Sequence, residues 1–242
     1  MTRMPNAHTG RKLFLVEKTH MRCGSSGPFS EAFANQYQPL MEAAGARLFG
    51  IWDASPINAR WPAVTTIWEI DSYRHLAQLG AGRLSDPEAR QSYRQWLGFL
   101  GEIDGSGEGR LTFGNPGIKS VAERQAEGFR AEFVIEEVVT TKPNAQTRYV
   151  EELEYLYVPW SEDTGKKWLG SFTTVFRYNE VIHYWACEGG WDVFANHYPS
   201  WSDPPDPRIR AWTNAAPAMR DGWEDSFLDA LPPNPLGCAS TP

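Results

Sequence analysis

Short apolar runs alternate with helical periodicities along this chain, and they do so in the same order twice. Leu13-Phe14-Leu15-Val16-Glu17 reads as a strand. Gly24 to Gly27 reads as a turn, and Pro28 suits the first position of a helix. On that helix Phe29, Ala32, Phe33, Gln36, Tyr37 and Leu40 recur at helical spacing. Leu48-Phe49-Gly50-Ile51-Trp52 and the β-branched, aromatic run 63–69 read as second and third strands. A second helix near 72–80, a Ser85-Asp86-Pro87 turn, a further helical stretch and the strand Arg110-Leu111-Thr112-Phe113 complete the series.

The series then restarts. Tyr37-Gln38-Pro39-Leu40 returns 120 positions later as Tyr157-Val158-Pro159-Trp160, and Arg47-Leu48-Phe49-Gly50 as Lys167-Trp168-Leu169-Gly170. Tyr149, Leu153, Leu156, Tyr157 and Trp160 repeat the helix face. The third strand returns at 180–186, with Trp185 117 positions after Trp68, and Ser202-Asp203-Pro204 echoes the earlier turn at the same offset. A helix near 190–198 and a closing strand at Phe227-Leu228-Asp229-Ala230-Leu231 follow. The order β-α-β-β-α-β is a ferredoxin-like unit, with helices on one sheet face and the other face bare. The predicted fold is therefore α+β: two tandem ferredoxin-like modules, 1–118 and 119–242, whose bare faces cover each other in an α+β barrel. Gly105 to Gly109 is predicted to begin the linker, and Pro232-Pro233 to mark a frayed tail.

Composition narrows the function. A formal charge of −7, with no Lys/Arg run, argues against nucleic acid. No apolar stretch is long enough to span a membrane, and Met1 to Lys12 lacks a secretory apolar block. Cys23, Cys187 and Cys238 are widely spaced and odd in number, which suits free thiols in a reducing cytoplasm. The 11 Trp are unusual and suggest an apolar cavity as well as a core.

Gly170, the third-strand run Asn179-Glu180-Val181-Ile182-His183-Tyr184-Trp185 and the terminal Asn234-Pro235-Leu236-Gly237 resemble the NIPSNAP branch of the dimeric α+β barrel superfamily. The resemblance implies a small-molecule pocket. It leaves open cofactor-free lyases, isomerases, cyclases and monooxygenases, haem enzymes and binders, and closure within one chain or as a homodimer.

Strand parity places His183 and Trp185 on one face and Tyr184 on the other. His183 is a candidate proton-transfer group, and a hydrogen-bonded core histidine is the plainer alternative. Glu137 ends the fifth strand as Glu17 ends the first, with Glu136 replacing Val16 beside it; a desolvated carboxylate there would suit acid/base work. Asp53 is a further carboxylate candidate, and Tyr184 a helper. Trp52, Trp68, Trp168, Trp185 and Phe172 are the expected cavity walls. In this superfamily a late histidine can ligate haem, so His197 carries a haem alternative, although Pro199 and the Ser/Asp/Pro-rich turn after it suggest exposure there. No metal-ligand spacing, phosphate cradle or serine-hydrolase elbow is present. The leading expectation is a cofactor-independent lyase, hydratase or isomerase acting on a hydrophobic small molecule. A non-catalytic carrier or sensor is the first alternative, and a haem enzyme ligated through His197 the second.

Overall fold

The computed structural model describes residues 11–57, 60–197 and 206–237. Eight strands form: β1 Leu13–His20, β2 Arg47–Ala54, β3 Ala63–Ile70, β4 Ser106–Gly114, β5 Phe133–Thr141, β6 Lys166–Thr174, β7 Glu180–Cys187 and β8 Arg220–Ala230. They close into an antiparallel barrel in the order β1-β3-β2-β8-β5-β7-β6-β4. Closure leaves no barrel edge exposed.

Helices cover the outside. One layer comprises α1 Ser26–Ala32, a π-helical turn Phe33–Tyr37, α2 Gln38–Ala43, α3 Tyr73–Ser85 and α4 Pro87–Glu102. The connection after β4 carries α5 Val121–Ala126. The second layer comprises α6 Gln146–Glu152, a π-helical turn Leu153–Tyr157, α7 Val158–Asp163, α8 Val193–Asn196 and α9 Pro207–Ala215. Both π-turns stand just before a proline, Pro39 or Pro159. A proline inside a helix cannot donate to the carbonyl four residues back and its ring crowds that group, so widening the turn relieves both problems.

Alternation along each strand separates three cores. Inside the barrel, Phe14, Phe49, Trp52, Ile67, Val134, Phe172, Tyr184 and Leu228 pack together. Phe14 meets Phe172 at 4.9 Å and Phe49 at 5.4 Å between ring centres, and Trp52 stacks on Tyr184 at 6.2 Å. The other strand faces pack under the two helical layers around Trp68 and Trp96 on one side and Trp185 and Trp212 on the other. The interior is therefore not the expected tryptophan-lined chamber. Of the five expected wall residues only Trp52 and Phe172 face it; Trp68, Trp168 and Trp185 point outward to the helices.

The interior also carries buried charge. Lys18 pairs with Glu136, which accepts from Tyr184 Oη at 2.8 Å. Burial pushes the Glu136 carboxyl up, but Lys18 and the tyrosine hydrogen bond outweigh it and leave the group below its ordinary value.

Four sequence expectations are corrected. Residues 106–109 are the first part of β4 rather than linker, and the connection runs through α5. The segment around Pro232-Pro233 is packed, not frayed: Asn234 Nδ2 donates to Ile51 O at 2.6 Å, and Leu236 is buried with Ile118, Val121 and Ala131 in the interior cluster. The last strand starts seven residues earlier than Phe227. The helix expected near 190–198 is a single 3-10 turn, Gly190–Asp192, followed by the four-residue α8. Tyr198 to Pro204 and Cys238 lie outside the described residues.

Candidate functional site

A row of facing residues crosses four strands on the helix side of the sheet. Asp225 of β8 sits opposite Glu137 of β5, Glu137 opposite His183 of β7, and His183 opposite Ser171 of β6. The corresponding row in the other half reads Gly109, Glu17, Thr66 and Ile51. Only one carboxylate, Glu17 in one row and Glu137 in the other, is common to both. Titratable chemistry is concentrated in the second row.

A cavity of about 220 Å³ opens over that second row, lined by Glu137, Leu153, Tyr157, Lys166, Trp212, Arg220, Trp223 and Asp225. The local sequence explains how the walls come together. β8 alternates, sending Asp225 and Phe227 toward the helices and Ser226 and Leu228 into the barrel. The π-turn carries both Leu153 and Tyr157. Asp206 caps α9, accepting from Arg208 N at 2.8 Å, and Pro207 opens it; the helix buries Ile209 and Trp212.

Charges at the cavity are unevenly partnered. Arg220 donates to Glu137 Oε1 and to Tyr149 Oη, each at 3.3 Å, and lies 3.8 Å from the Trp223 ring centre. Glu137 Oε2 also accepts from Trp185 Nε1 at 3.3 Å. Asp225, by contrast, makes no side-chain hydrogen bond or ion pair among the described residues. Burial first, and the Glu137 charge second, push its carboxyl up to about 7 despite the opposing pull of Lys166 and Arg220. Burial likewise holds the Tyr149 and Tyr157 phenols well above their ordinary range, so both remain protonated.

No protein-family profile matches this chain, and no curated protein matches it. Solved structures do. A candidate monooxygenase from Fusobacterium nucleatum superposes with a TM-score of 0.57 at 12% identity, over 91% of this chain and 93% of that one. An anthrone-oxidase-like protein gives 0.56 at 11% identity, over 94% and 96%. The similar structures also include a NIPSNAP domain protein from Burkholderia xenovorans, at 0.36 and 15% identity, over 41% of this chain and 95% of that one. At these identities the likeness is one of fold, the α+β barrel.

The residues singled out from sequence do not all converge. Glu137 and His183 are neighbours, as the row shows. Tyr184 is on the opposite face, inside the barrel on Glu136. Asp53 faces Asp229 across the β2–β8 seam, half-buried, and burial raises its carboxyl. His183 is fully buried, bonded to Ser171 Oγ through Nδ1 at 2.7 Å, with Nε2 unpartnered among the described residues. Burial drives it down to about 3, so the ring is neutral. Trp185 and Trp168 pack beside this row at 4.4 Å between ring centres, while Trp68 occupies the other helical layer.

His197 is buried rather than exposed. Its Nε2 is 3.2 Å from Tyr157 Oη, and its Nδ1 is 2.6 Å from Thr164 Oγ1. The simplest proton order runs from Lys166 to Tyr157 O–H to Nε2, and from Nδ1–H to Thr164 and on to Ser161 O. Burial lowers His197 to about 3, fitting a neutral ring used to orient Tyr157. With both nitrogens engaged and Trp160 4.5 Å away, His197 does not fit an axial haem ligand. Among the described residues no group of three or more His, Cys, Asp or Glu is placed to hold a metal. No helix among the described residues is long and apolar enough to cross a membrane. Cys187 is buried and pushed up to about 12, chiefly by desolvation, so it stays a thiol.

Sequence reading missed Asp225, Lys166, Arg220 and Trp212. The signal available in sequence was Lys166, which stands 120 positions after Ala46; Asp225 comes opposite Glu137 as Gly109 comes opposite Glu17 only through strand register.

Proposed function

We propose that this cavity is the active site of an acid/base enzyme of the lyase, hydratase or isomerase type, moving a proton on a small, largely apolar molecule. The observation that carries the reading is Asp225: a carboxyl with no hydrogen-bonding partner among the described residues, poised at about 7, on an aromatic-walled cavity. A group titrating near neutrality can both accept and return a proton. Trp212, Tyr157 and Leu153 would exclude water and hold an apolar ring. Arg220, tied to Glu137, would stabilise negative charge developing on the substrate as its proton leaves. His183 serves this site as a neutral neighbour, because its lowered basicity and engaged Nδ1 suit it poorly to take the proton. The proton transfer needs only side chains. The enzyme names of the two full-length structural neighbours, an oxygenase candidate and an anthrone-oxidase-like protein, favour an enzyme over a carrier.

The architecture supports reading the chain as two β-α-β-β-α-β modules joined near 118/119. The strand orders β4-β1-β3-β2 and β8-β5-β7-β6 match, and the π-turns recur 120 positions apart. The bulges at Leu48/Gly50 and Trp168/Gly170 recur at the same offset. One copy would then have kept or acquired the chemistry that the other lacks.

The test uses aryl ketones with acidic C–H groups, phenylacetone first, followed by NMR in deuterated buffer. The protein should accelerate deuterium uptake at the benzylic carbon above the buffer rate. Asp225→Asn should lower that rate about 100-fold or more, while His183→Gln keeps most of it. No acceleration with any of the ketones, or an Asp225→Asn rate equal to wild type, would overturn the reading.

A further inference from the structure

The geometry points to an anion subsite at Lys166, which makes the molecule bound here a small aromatic acid whose carboxylate or phenolate oxygen pairs with the ammonium group. This inference rests on the reading of the cavity as the active site and adds the substrate class.

Lys166 lines the cavity yet is only 3% exposed. Its Nζ makes one hydrogen bond, to Tyr157 Oη at 3.2 Å, and lies 4.6 Å from the Trp185 ring centre and 5.3 Å from that of Tyr157. Among the described residues no carboxylate oxygen lies within 4.0 Å of it. An ammonium group has three donors, and withdrawing it from water without a counter-charge is costly. Arg220, the other cation of the cavity, is already paired with Glu137. Asp225 also lines the cavity and feels the Lys166 charge, but burial and Glu137 favour its protonated form below about 7.

The fold does not require this charge. The corresponding place in the first half holds Ala46, which is buried with a methyl group and no charge at all. A lysine that the architecture can replace with alanine, held in an aromatic box and unneutralised, is arranged for a ligand's negative oxygen. Size adds a further limit. About 220 Å³ falls below the roughly 300–1,000 Å³ of sites for drug-sized molecules, so one aromatic ring with its acid group fills it.

The probes are benzoate and benzyl alcohol, which share a ring and differ in charge. Binding to the full chain is read by tryptophan fluorescence and calorimetry at pH 6, for wild type and for Lys166→Met, which keeps the side-chain volume. Wild type should prefer benzoate by about 30-fold or more, and Lys166→Met should lose that preference while still binding benzyl alcohol. Equal wild-type affinities, or a preference that survives in Lys166→Met, would overturn the subsite and leave the active-site reading standing. If neither probe binds wild type, the subsite is overturned, and the active-site reading is decided by the deuterium-exchange assay. The wild-type preference is read without any substitution, so a variant that fails to fold leaves the test intact.

Discussion

Asp225 faces Glu137 directly across the β5–β8 ladder, so two carboxyl groups share the floor of one partly desolvated cavity. Glu137 has Arg220 and the Trp185 N–H; Asp225 has neither a hydrogen bond nor an ion pair among the described residues. The asymmetry leaves the Asp225 carboxyl, desolvated and beside the Glu137 charge, as the one raised to about 7.

The same relationship sets a pH dependence of stability. Asp225 holds its proton to about 7 in the fold, against an ordinary value of 3.8. The folded chain therefore binds a proton the unfolded chain has released, and stability is lost as pH rises from about 4 to about 7. Asp225→Asn removes that loss. Urea denaturation at pH 4.5 and pH 8 should show the variant close to wild type at the lower pH. At the higher pH it should be more stable, by an amount on the order of a few kcal/mol. An equal difference at both pH values would mean Asp225 is not the titrating group.

Lys18 and Glu136 stabilise the barrel only as a pair. Lys18→Met leaves the Glu136 carboxylate in the interior with Tyr184 as its remaining close donor. Denaturation at pH 7 should show a loss of about 3–5 kcal/mol. Converting Glu136 to Gln in the same chain should recover much of it, because no uncompensated charge then remains. A single Lys18→Met as stable as wild type would show the pair to be dispensable.

Gly50 marks how tightly the β2 bulge is closed. A Cβ added there would lie 1.9 Å from the Trp52 ring, a distance no packing tolerates. Gly50→Ala should therefore displace Trp52 from its hydrogen bond to Ala131 O. The expected cost is about 1–3 kcal/mol, with a red-shifted tryptophan emission. Unchanged emission and melting temperature would show that the ring is not held there.

Leu236 tests the packed tail. It is fully buried in the interior cluster, and its carbonyl accepts from Ala131 N at 2.8 Å. Leu236→Ala should cost about 2–5 kcal/mol, far more than a substitution in a frayed end. A melting temperature within a degree of wild type would restore the frayed-tail expectation.

Much of this architecture was legible along the chain. Apolar, β-branched and aromatic runs mark β1, β3 and β7, and helical spacing marks the segments that carry Tyr37 and Tyr157. Pairing in sequence also brought Glu137 into view beside Glu17, and parity put His183 and Tyr184 on opposite faces. The start of β8 was not legible, since Arg220 to Ser226 is mostly polar and glycine-containing and resembles a loop. Asp225 and Arg220 were lost with it. Lys166, next to Lys167, resembles an ordinary solvated pair.

Periodicity and self-similarity are properties a linear chain carries in full, because each depends on neighbours a few positions apart or on comparison of the chain with itself. They sufficed for most of the strands and for the helices that carry Tyr37 and Tyr157. The location of empty space is a different kind of property. It depends on how rings from separate elements fill a volume together: Phe14, Phe49, Trp52 and Phe172 close the barrel interior, while Tyr157, Trp212 and Trp223 leave a gap outside it. Desolvation follows the same packing, so the proton affinity of Asp225 and the isolation of Lys166 arise only once those surfaces have met.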